Sequence, residues 1–484
     1  MTEQVIIHDA AVPAEISVGN PRRWLALGVL CLGVLMIMLD SNIVNVALPS
    51  IETDLAFPLT SIAWIVNAYF LFFGGFLLLG GRLGDLYGHR KLFIIGIGVF
   101  TLGSFACGVA GTPLFLIAAR AAQGFGGAVV TAVALSLIMG LFTEAKERAV
   151  AMGVYGFVCA SGSGIGAMVG GLLTGGLGWR WIFLINLPIG LAVILLSFRL
   201  LSRDHQRPAS GGLDIFGALT GTAALMLAVY AIVNGNAWGW ASTPIVGCAV
   251  LAAILFGVFL VAESRAKSPL MPLGLFRNRN VSAGNVIVML WAAALFTWFF
   301  LSSLYLQFVQ GYGPVDVGLA FLPTNLTMAL LSLGLSGWTV NKVGIRWSLV
   351  SGLALAACGL FLLSRLPVAA SFTTDILPGM LLFGVGAGFA VNPMLLAAIN
   401  GVAENETGLA SGVVNTSFAM GGAFWLAVLS SYAAHQTKSL EIAGLEPRVA
   451  LNGGYQVAFL AAAACCALAA AVGALALRPG RAPG

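Results

Sequence analysis

The chain carries too little charge to be a water-soluble protein of its length. Only 8% of its 484 residues are Asp, Glu, Lys or Arg, whereas average globular chains carry about 25%. Cysteine is also scarce: the seven residues, at positions 31, 107, 159, 248, 358, 465 and 466, all fall inside apolar segments. They show neither metal-ligand spacing nor a disulfide framework and read as small buried hydrophobes. The chain contains no P-loop, HExxH or GxSxG motif and no Cys/His metal constellation. Nor does it place paired carboxylates or a nucleophile–base set at membrane depth. These absences argue against an enzyme, an ATP-driven pump and a metal centre, and leave a membrane-bound enzyme or a lipid scramblase as the weaker competing class. Residues 1–20 carry Glu3, Asp9 and Glu15 and lack an apolar core followed by a cleavage site, so a polar tail is expected there instead of a signal peptide. The net charge of +5 does not point to nucleic acid, because the basic residues flank apolar segments.

What is abundant is apolar surface. Hydrophobic residues make up 59% of the chain and the mean hydropathy is +0.98. Runs long enough to cross a bilayer, roughly 17–25 residues each, recur from Trp24 to Leu477. Breaks at charged or Gly/Pro/Asn-rich turns predict fourteen spans. Six cover 24–49, 61–81, 92–110, 114–141, 150–175 and 181–201, and two more cover 213–234 and 243–262. The last six cover 281–309, 316–339, 346–364, 376–399, 408–433 and 455–477.

The basic residues test that count. With both termini cytoplasmic, the inner segments hold Arg22, Arg23, Arg82, Arg90, Lys91, Lys146, Arg148, Arg199, Arg203 and Arg207, and also Arg265, Lys267, Arg277, Arg279, Lys342, Arg346, Arg478 and Arg481. The outer segments hold only Arg180, Arg365, Lys438 and Arg448, and Arg120 alone lies within a span. An excess of Lys and Arg on the cytoplasmic side is what the positive-inside rule expects. Trp179, Trp181, Trp238 and Trp240 fit an aromatic belt at the outer interface.

The chain also echoes itself. Gly81, Asp85, Gly88 and Arg90 follow the spacing G-x3-D-x2-G-x-R, and Gly337, Asn341, Gly344 and Arg346 repeat it with Asn in place of the acid. Self-similarity between the halves of an apolar chain marks a transporter built from structural repeats. Five segments then resemble the major facilitator superfamily and, within it, the fourteen-span drug/proton antiporters. They are Leu39–Pro49, Gly81–Lys91, Arg120–Gly124, Trp179–Pro188, and Gly408–Gly412 followed by Gly421–Gly422. The fifth-helix motif departs from the pattern, reading Gly166-Ala167-Met168-Val169-Gly170-Gly171 without its proline.

The resemblance implies an all-α polytopic protein of the cell membrane. It would have a cytoplasmic tail (1–23), a six-helix bundle (24–201), two inserted transmembrane helices with flanking loops (202–280), a second six-helix bundle (281–477) and a second cytoplasmic tail (478–484). The expected activity is export of lipophilic drugs, antiseptics or a toxic metabolite by a monomer. A proton gradient would supply the energy, with no cofactor and no metal. Import or facilitated diffusion of a small solute is the alternative, kept open by the missing proline.

Two lone charges are the leading functional candidates. Asp40 is the one carboxylate placed clearly inside a predicted span, and Arg120 the one base. A charge at bilayer depth costs at least about 2.5–3.5 kcal/mol, so it marks function by default. Helical rise puts Asp40 roughly 14 Å and Arg120 roughly 10 Å below the same face. Asp40 is expected to take up and release the coupling proton, tuned by Arg120; the competing reading is a static ion pair or separate polar anchors in a wet cavity.

Gly81, Arg82, Asp85, Gly88, Arg90 and Lys91 lie too near the surface for a substrate site. By resemblance they form a cytoplasmic gate in which Asp85 meets the positive start of the helix near Gly408; the plainer reading is a solvated topogenic turn. Asn67, Gln123, Trp298, Tyr305, Asn325, Asn392 and Asn415 are the candidate lining of an aromatic cavity for bulky lipophilic substrates. The Gly162, Gly166, Gly170 and Gly384, Gly388 series read as close helix packing.

Overall fold

A computed structural model describes residues 22–58, 61–142, 144–201, 214–266, 269–271, 273–399, 402 and 407–477. Most of the two expected tails, together with Arg203, Arg207, Lys267, Arg478 and Arg481, lies outside them. The described residues form helices and connecting turns. In lipid every backbone N–H and C=O must be satisfied within the segment, which is why long apolar runs become helices.

In chain order the helices are α1 (Arg22–Leu55), α2 (Trp64–Tyr87), α3 (His89–Gly108), α4 (Pro113–Leu141), α5 (Ala145–Gly176), α6 (Trp181–Leu184) and α7 (Asn186–Leu200). They continue with α8 (Ile215–Trp238), α9 (Thr243–Arg265), α10 (Arg279–Leu304), α11 (Pro314–Leu330), α12 (Ser336–Leu363), α13 (Leu377–Ile399), α14 (Thr407–Ile442) and α15 (Pro447–Ala476). Twelve helical segments among the described residues are long and apolar enough to cross a membrane. Of the remaining expected spans, the one at 150–175 lies in α5, which holds two shorter apolar stretches, Val150–Cys159 and Ile165–Gly176. The one at 316–339 is α11 continued by a π-helical turn, Leu331–Leu335.

Turns are shorter than expected. The charged segment between the second and third spans is almost wholly helical: Gly81, Arg82, Gly84 and Asp85 belong to α2, and Gly88 alone breaks the chain, at φ 98°. That left-handed conformation suits glycine, whereas Gly84 is helical and accepts the Gly88 N–H on its carbonyl. Gly344 does the same job in the second half at φ 86°, a single-residue kink within α12. The echo extends to side chains. Arg90 donates to the Phe198 carbonyl on α7 (2.8 Å), and Arg346 donates to the Ala474 carbonyl on α15.

Helix α1 packs on α5 and α7, and α4 packs on both α2 and α3. In the second half α12 packs on α13 and α15, and α10 on α14 and α15. Helices α8 and α9 pair with each other, and α8 rests on α2 and α14. The two ends of the helices define two faces. On one, Arg180 pairs with Asp54 (2.6 Å) and donates to the Ala110 carbonyl. On the same face α10 meets α1, with Ser303 Oγ donating to the Asn45 carbonyl (2.7 Å) and Gln307 Nε2 to that of Val46 (3.1 Å). We call this the Pro49 face and the opposite one, where Arg23 pairs with Glu147 (2.5 Å), the Gly88 face.

Trp179 is buried, with Nε1 donating to Asp54, so it anchors the fold and does not join an interfacial belt; Trp181, Trp238 and Trp240 are exposed. Small residues let the helices touch, as their spacing suggests. A Cβ on Gly166 would lie 2.9 Å from the Leu39 carbonyl oxygen, and one on Gly170 would lie 2.7 Å from that of Ile43, both on α1. Gly384 and Gly388 stand likewise against Thr324 and Leu331. A Cβ on Gly98 meets nothing within 4 Å. Gly170→Leu is therefore expected to cost about 1–3 kcal/mol through overpacking and to lower the melting temperature in detergent. Gly98→Leu should leave it unchanged.

Candidate functional site

Asp40 and Arg120 meet. They are 1% and 0% exposed, and Arg120 Nη1 lies 2.5 Å from Asp40 Oδ2. A ring of neutral donors and acceptors surrounds the pair. Asp40 Oδ1 accepts from Gln123 Nε2 (3.1 Å) and Asn186 Nδ2 (2.9 Å). Ser104 Oγ accepts from the same two amides, at 2.6 and 3.2 Å. Gln123 Oε1 accepts from Arg120 Nη1 (2.9 Å) and from the Cys107 thiol (3.2 Å). Arg120 Nε donates to the Ile65 carbonyl (3.1 Å), and its guanidinium carbon sits 4.3 Å from the Tyr69 ring centroid and 5.7 Å from that of Phe183.

Local structure explains how the parts come together. Arg120 and Gln123 are three residues apart and share one face of α4. Gly103 admits Gln123, because a Cβ there would lie 2.9 Å from its Cγ. Asn186 begins α7 directly after Ile185, whose backbone stays helical (φ −59°, ψ −25°), so Trp181–Leu200 crosses as one span, as expected from 181–201. Buried ions cost several kcal/mol each unless paired and hydrogen-bonded, and here every Asp40 oxygen is satisfied. The arrangement gives a fully buried carboxylate a counter-ion with contacts of its own, Arg120 Nε on the Ile65 carbonyl oxygen and the guanidinium over the Tyr69 ring.

Asn186, Ser104 and Tyr69 were missed by reading the sequence. Asn186 stood inside the Trp179–Pro188 segment, where an amide in an apolar run was a usable signal; Ser104 and Tyr69 offered none. Gln123, expected to line a cavity, belongs instead to the charged centre. A further buried acid was also missed, because the eighth span was ended at 262. Glu263, in the last turn of α9, is 3% exposed and accepts from the Met271 N–H (3.0 Å).

The gate candidates stay near the Gly88 face. Asp85 is paired within its own hairpin, 3.7 Å from Arg82 and 3.3 Å from His89. The side chains of residues 403–408, ahead of and at the start of α14, and of Asn341 lie outside the described residues, and so does the expected meeting of Asp85 with that helix. Arg90 and Lys91 lie in the first turn of α3, which begins at His89.

The cavity candidates divide into three groups. Trp298 and Tyr305 are core residues, 1% and 2% exposed: Trp298 stacks on Phe383 (4.7 Å between centroids), and the Tyr305 hydroxyl donates to the Pro367 carbonyl (2.9 Å). Trp298 on α10 and Tyr305 in the π-helical turn that follows it are packed in the core, where large rings gain most from interdigitation. Asn392 and Asn415 are exposed; Asn392 donates across to the Ser332 carbonyl in the π-helical turn after α11 (2.8 Å), and Asn415 donates to the Ser411 carbonyl one turn back on α14 (3.0 Å). Asn67 and Asn325 are buried, with neither amide atom hydrogen-bonded.

Asn186→Leu should strip one donor from a buried carboxylate and cost about 1–3 kcal/mol. Thermal unfolding of the detergent-solubilised variant checks this, with Asn186→Asp expected to be worse because it sets a second acid beside Asp40.

Comparison with known proteins agrees with this architecture. The model of the Major Facilitator Superfamily matches residues 30–426. A puromycin resistance protein of Streptomyces alboniger is 38% identical over 458 residues, covering 93% of this chain and 91% of its own. A cephamycin export protein of Amycolatopsis lactamdurans is 37% identical, covering 84% of each chain. The multidrug resistance protein Stp of Mycobacterium tuberculosis is 34% identical over 85% of this chain and 76% of its own. Among solved structures, an inward-facing, occupied bacterial homologue of the human lysosomal transporter Spinster superposes with a TM-score of 0.68 at 16% identity, covering 95% of this chain and 97% of its own. A POT-family peptide transporter superposes with a TM-score of 0.66 at 16% identity, covering 96% and 99%. With its helical membrane architecture and a family match over most of its length, this chain belongs to the Major Facilitator Superfamily of transporters.

Proposed function

We propose that this chain is a secondary active exporter that expels lipophilic drugs, antiseptics or a toxic metabolite in exchange for protons, by alternating access. The observation that carries the reading is the Asp40–Arg120 pair, the one ion pair among the described residues with both side chains at 0% exposure. A static pair so deep is expensive to keep. A carboxylate whose counter-ion has other partners can be neutralised by a proton and recharged in each cycle. Relatives concerned with puromycin resistance and cephamycin export support the substrate class.

In this reading the chain has fourteen spans, and the Gly88 face is cytoplasmic. Arg22, Arg23, Arg82, Arg90, Lys91, Arg148, Arg199, Arg279, Lys342 and Arg346 gather towards it, while Arg180, Arg365, Lys438 and Arg448 lie towards the Pro49 face. Helices α1–α7 and α10–α15 form the two moving halves of a monomer, and α8 and α9 are the insertion. The α5 segment lacking proline sits against α11, since a Cβ on Gly318 would lie 2.9 Å from the Ala167 carbonyl oxygen. Alternating access would have to part this contact. Asp85 acts as a gate latch, so Asp85→Asn should insert normally and lose turnover.

The deciding experiment expresses wild type and Asp40→Asn in an efflux-deficient host and measures susceptibility to puromycin, a cephamycin and cationic antiseptics. Wild type should raise tolerance to at least one compound, and Asp40→Asn should lose the gain. In inverted vesicles, transport of that compound should follow an imposed pH gradient and fall at least about tenfold in Asp40→Asn, equivalent to about 1.4 kcal/mol. Gradient-driven transport that survives the substitution would remove Asp40 from the coupling role. Uptake into right-side-out vesicles only would favour import.

A further inference from the structure

Arg120 is held from two sides. Helix α1 holds it through Asp40, and α2 holds it through the Ile65 carbonyl oxygen (3.1 Å) and the face of the Tyr69 ring (4.3 Å). Tyr69 is 1% exposed, yet its hydroxyl has no hydrogen-bond partner. A tyrosine kept for its hydroxyl would be expected to use it; the part of this side chain in use is the ring. Glycines on α4 make room for it. A Cβ on Gly127 would lie 3.3 Å from the Tyr69 hydroxyl oxygen, and one on Gly124 would collide with the Tyr69 carbonyl oxygen.

The same segment of α2 faces the other half of the protein. The Phe70 ring lies 4.4 Å from that of Phe296 on α10, and Phe296 lies 5.5 Å from Phe418 on α14. One turn further on, a Cβ on Gly74 would lie 2.7 Å from Met420 Cγ. The grip on Arg120 is thus built into the helix that touches the second half.

Resting on the reading that Asp40 carries the coupling proton, we propose that Tyr69 is a positioning residue for the proton-loaded state, its ring face holding Arg120 when protonation removes the carboxylate charge. A proton added to Asp40 leaves a buried guanidinium without an anion. The negative face of an aromatic ring is a partial substitute, and the Ile65 carbonyl supplies a second. Arg120 then leans on α2 instead of α1, so loading the proton is felt at the contact between halves. The titratable or charged groups that meet at the site are Asp40 of α1, Tyr69 of α2, Cys107 of α3 and Arg120 of α4; α6 and α7 contribute the neutral Phe183 and Asn186.

The test needs no substrate. Difference infrared spectra of the purified full-length chain, recorded across a pH series, isolate the protonated-carboxyl band that disappears in Asp40→Asn. Its midpoint should be the same in wild type and Tyr69→Phe, because the ring is kept and the lost hydroxyl was unpartnered. Replacing Tyr69 by phenylalanines of increasing ring fluorination keeps the shape while draining the negative face. The midpoint should then move stepwise to lower pH, by roughly one unit in the most fluorinated ring, with Tyr69→Leu moving in the same direction. A midpoint indifferent to fluorination, or a Tyr69→Phe shift as large as that of Tyr69→Leu, overturns the role of the ring. Absence of any band removed by Asp40→Asn overturns the parent reading instead, so the two failures are distinct.

Discussion

A carboxylate and a guanidinium taken completely out of water impose conditions on everything around them. Each ion alone would cost several kcal/mol to bury, and even the pair is worth having only if the remaining lone pairs and protons are satisfied. Five elements supply partners to the site: a carbonyl and a ring from α2, a hydroxyl and a thiol from α3, an amide from α4, a ring from α6 and an amide from the start of α7. Together with the pairing itself they satisfy both Asp40 oxygens and, of the pair's own polar atoms, leave only Arg120 Nη2 without a hydrogen-bond partner. The glycine at 103 leaves the space that Gln123 occupies in this polar ring.

The two halves show how far one plan can diverge while its backbone is kept. Gly126 abuts the backbone of Gly96 and Phe100, and Gly386 abuts that of Gly352 and Ala356 in the same way. Gly103 faces Gln123, and its counterpart Gly359 faces Phe383. Where the first half inserts an amide into a polar ring, the second inserts a ring that stacks on Trp291 and Trp298, at 5.7 and 4.7 Å. A polar ring around an ion pair occupies one side, and apolar ring packing occupies the matching place on the other. Trp298 accordingly stands buried in that aromatic stack.

Much of this was legible in the residues. Apolar runs predicted the helices, and the spacing of Gly81, Asp85, Gly88 and Arg90 predicted an echo whose geometry recurs at Gly344 and Arg346. Asp40 and Arg120 stood out because a charge in an apolar run is too costly to be incidental. Helical rise placed them at matching depth. Boundaries were less legible: Arg82 and Asp85 looked like loop residues but extend α2, because long polar side chains at a helix end can reach water without ending the helix. Trp179 looked interfacial but is buried in the core beside Phe183, with its Nε1 bonded to Asp54.

The sequence by itself determined the class of the protein, its helical segments, the sidedness of its charges relative to one another, and which two ions would lie at membrane depth. It could do so because hydropathy, helical rise and the cost of buried charge act locally along the chain. Only the tertiary structure decided that Asp40 touches Arg120, that Ser104 and Asn186 complete the ring, and that Tyr69 holds the arginine from the far side. These residues are separated by as many as 146 positions. Nothing in their own neighbourhoods distinguishes an amide or a ring that serves a buried ion from one that merely packs. The difference arises only when helices converge and a buried charge must be satisfied by whatever side chains the fold brings to it.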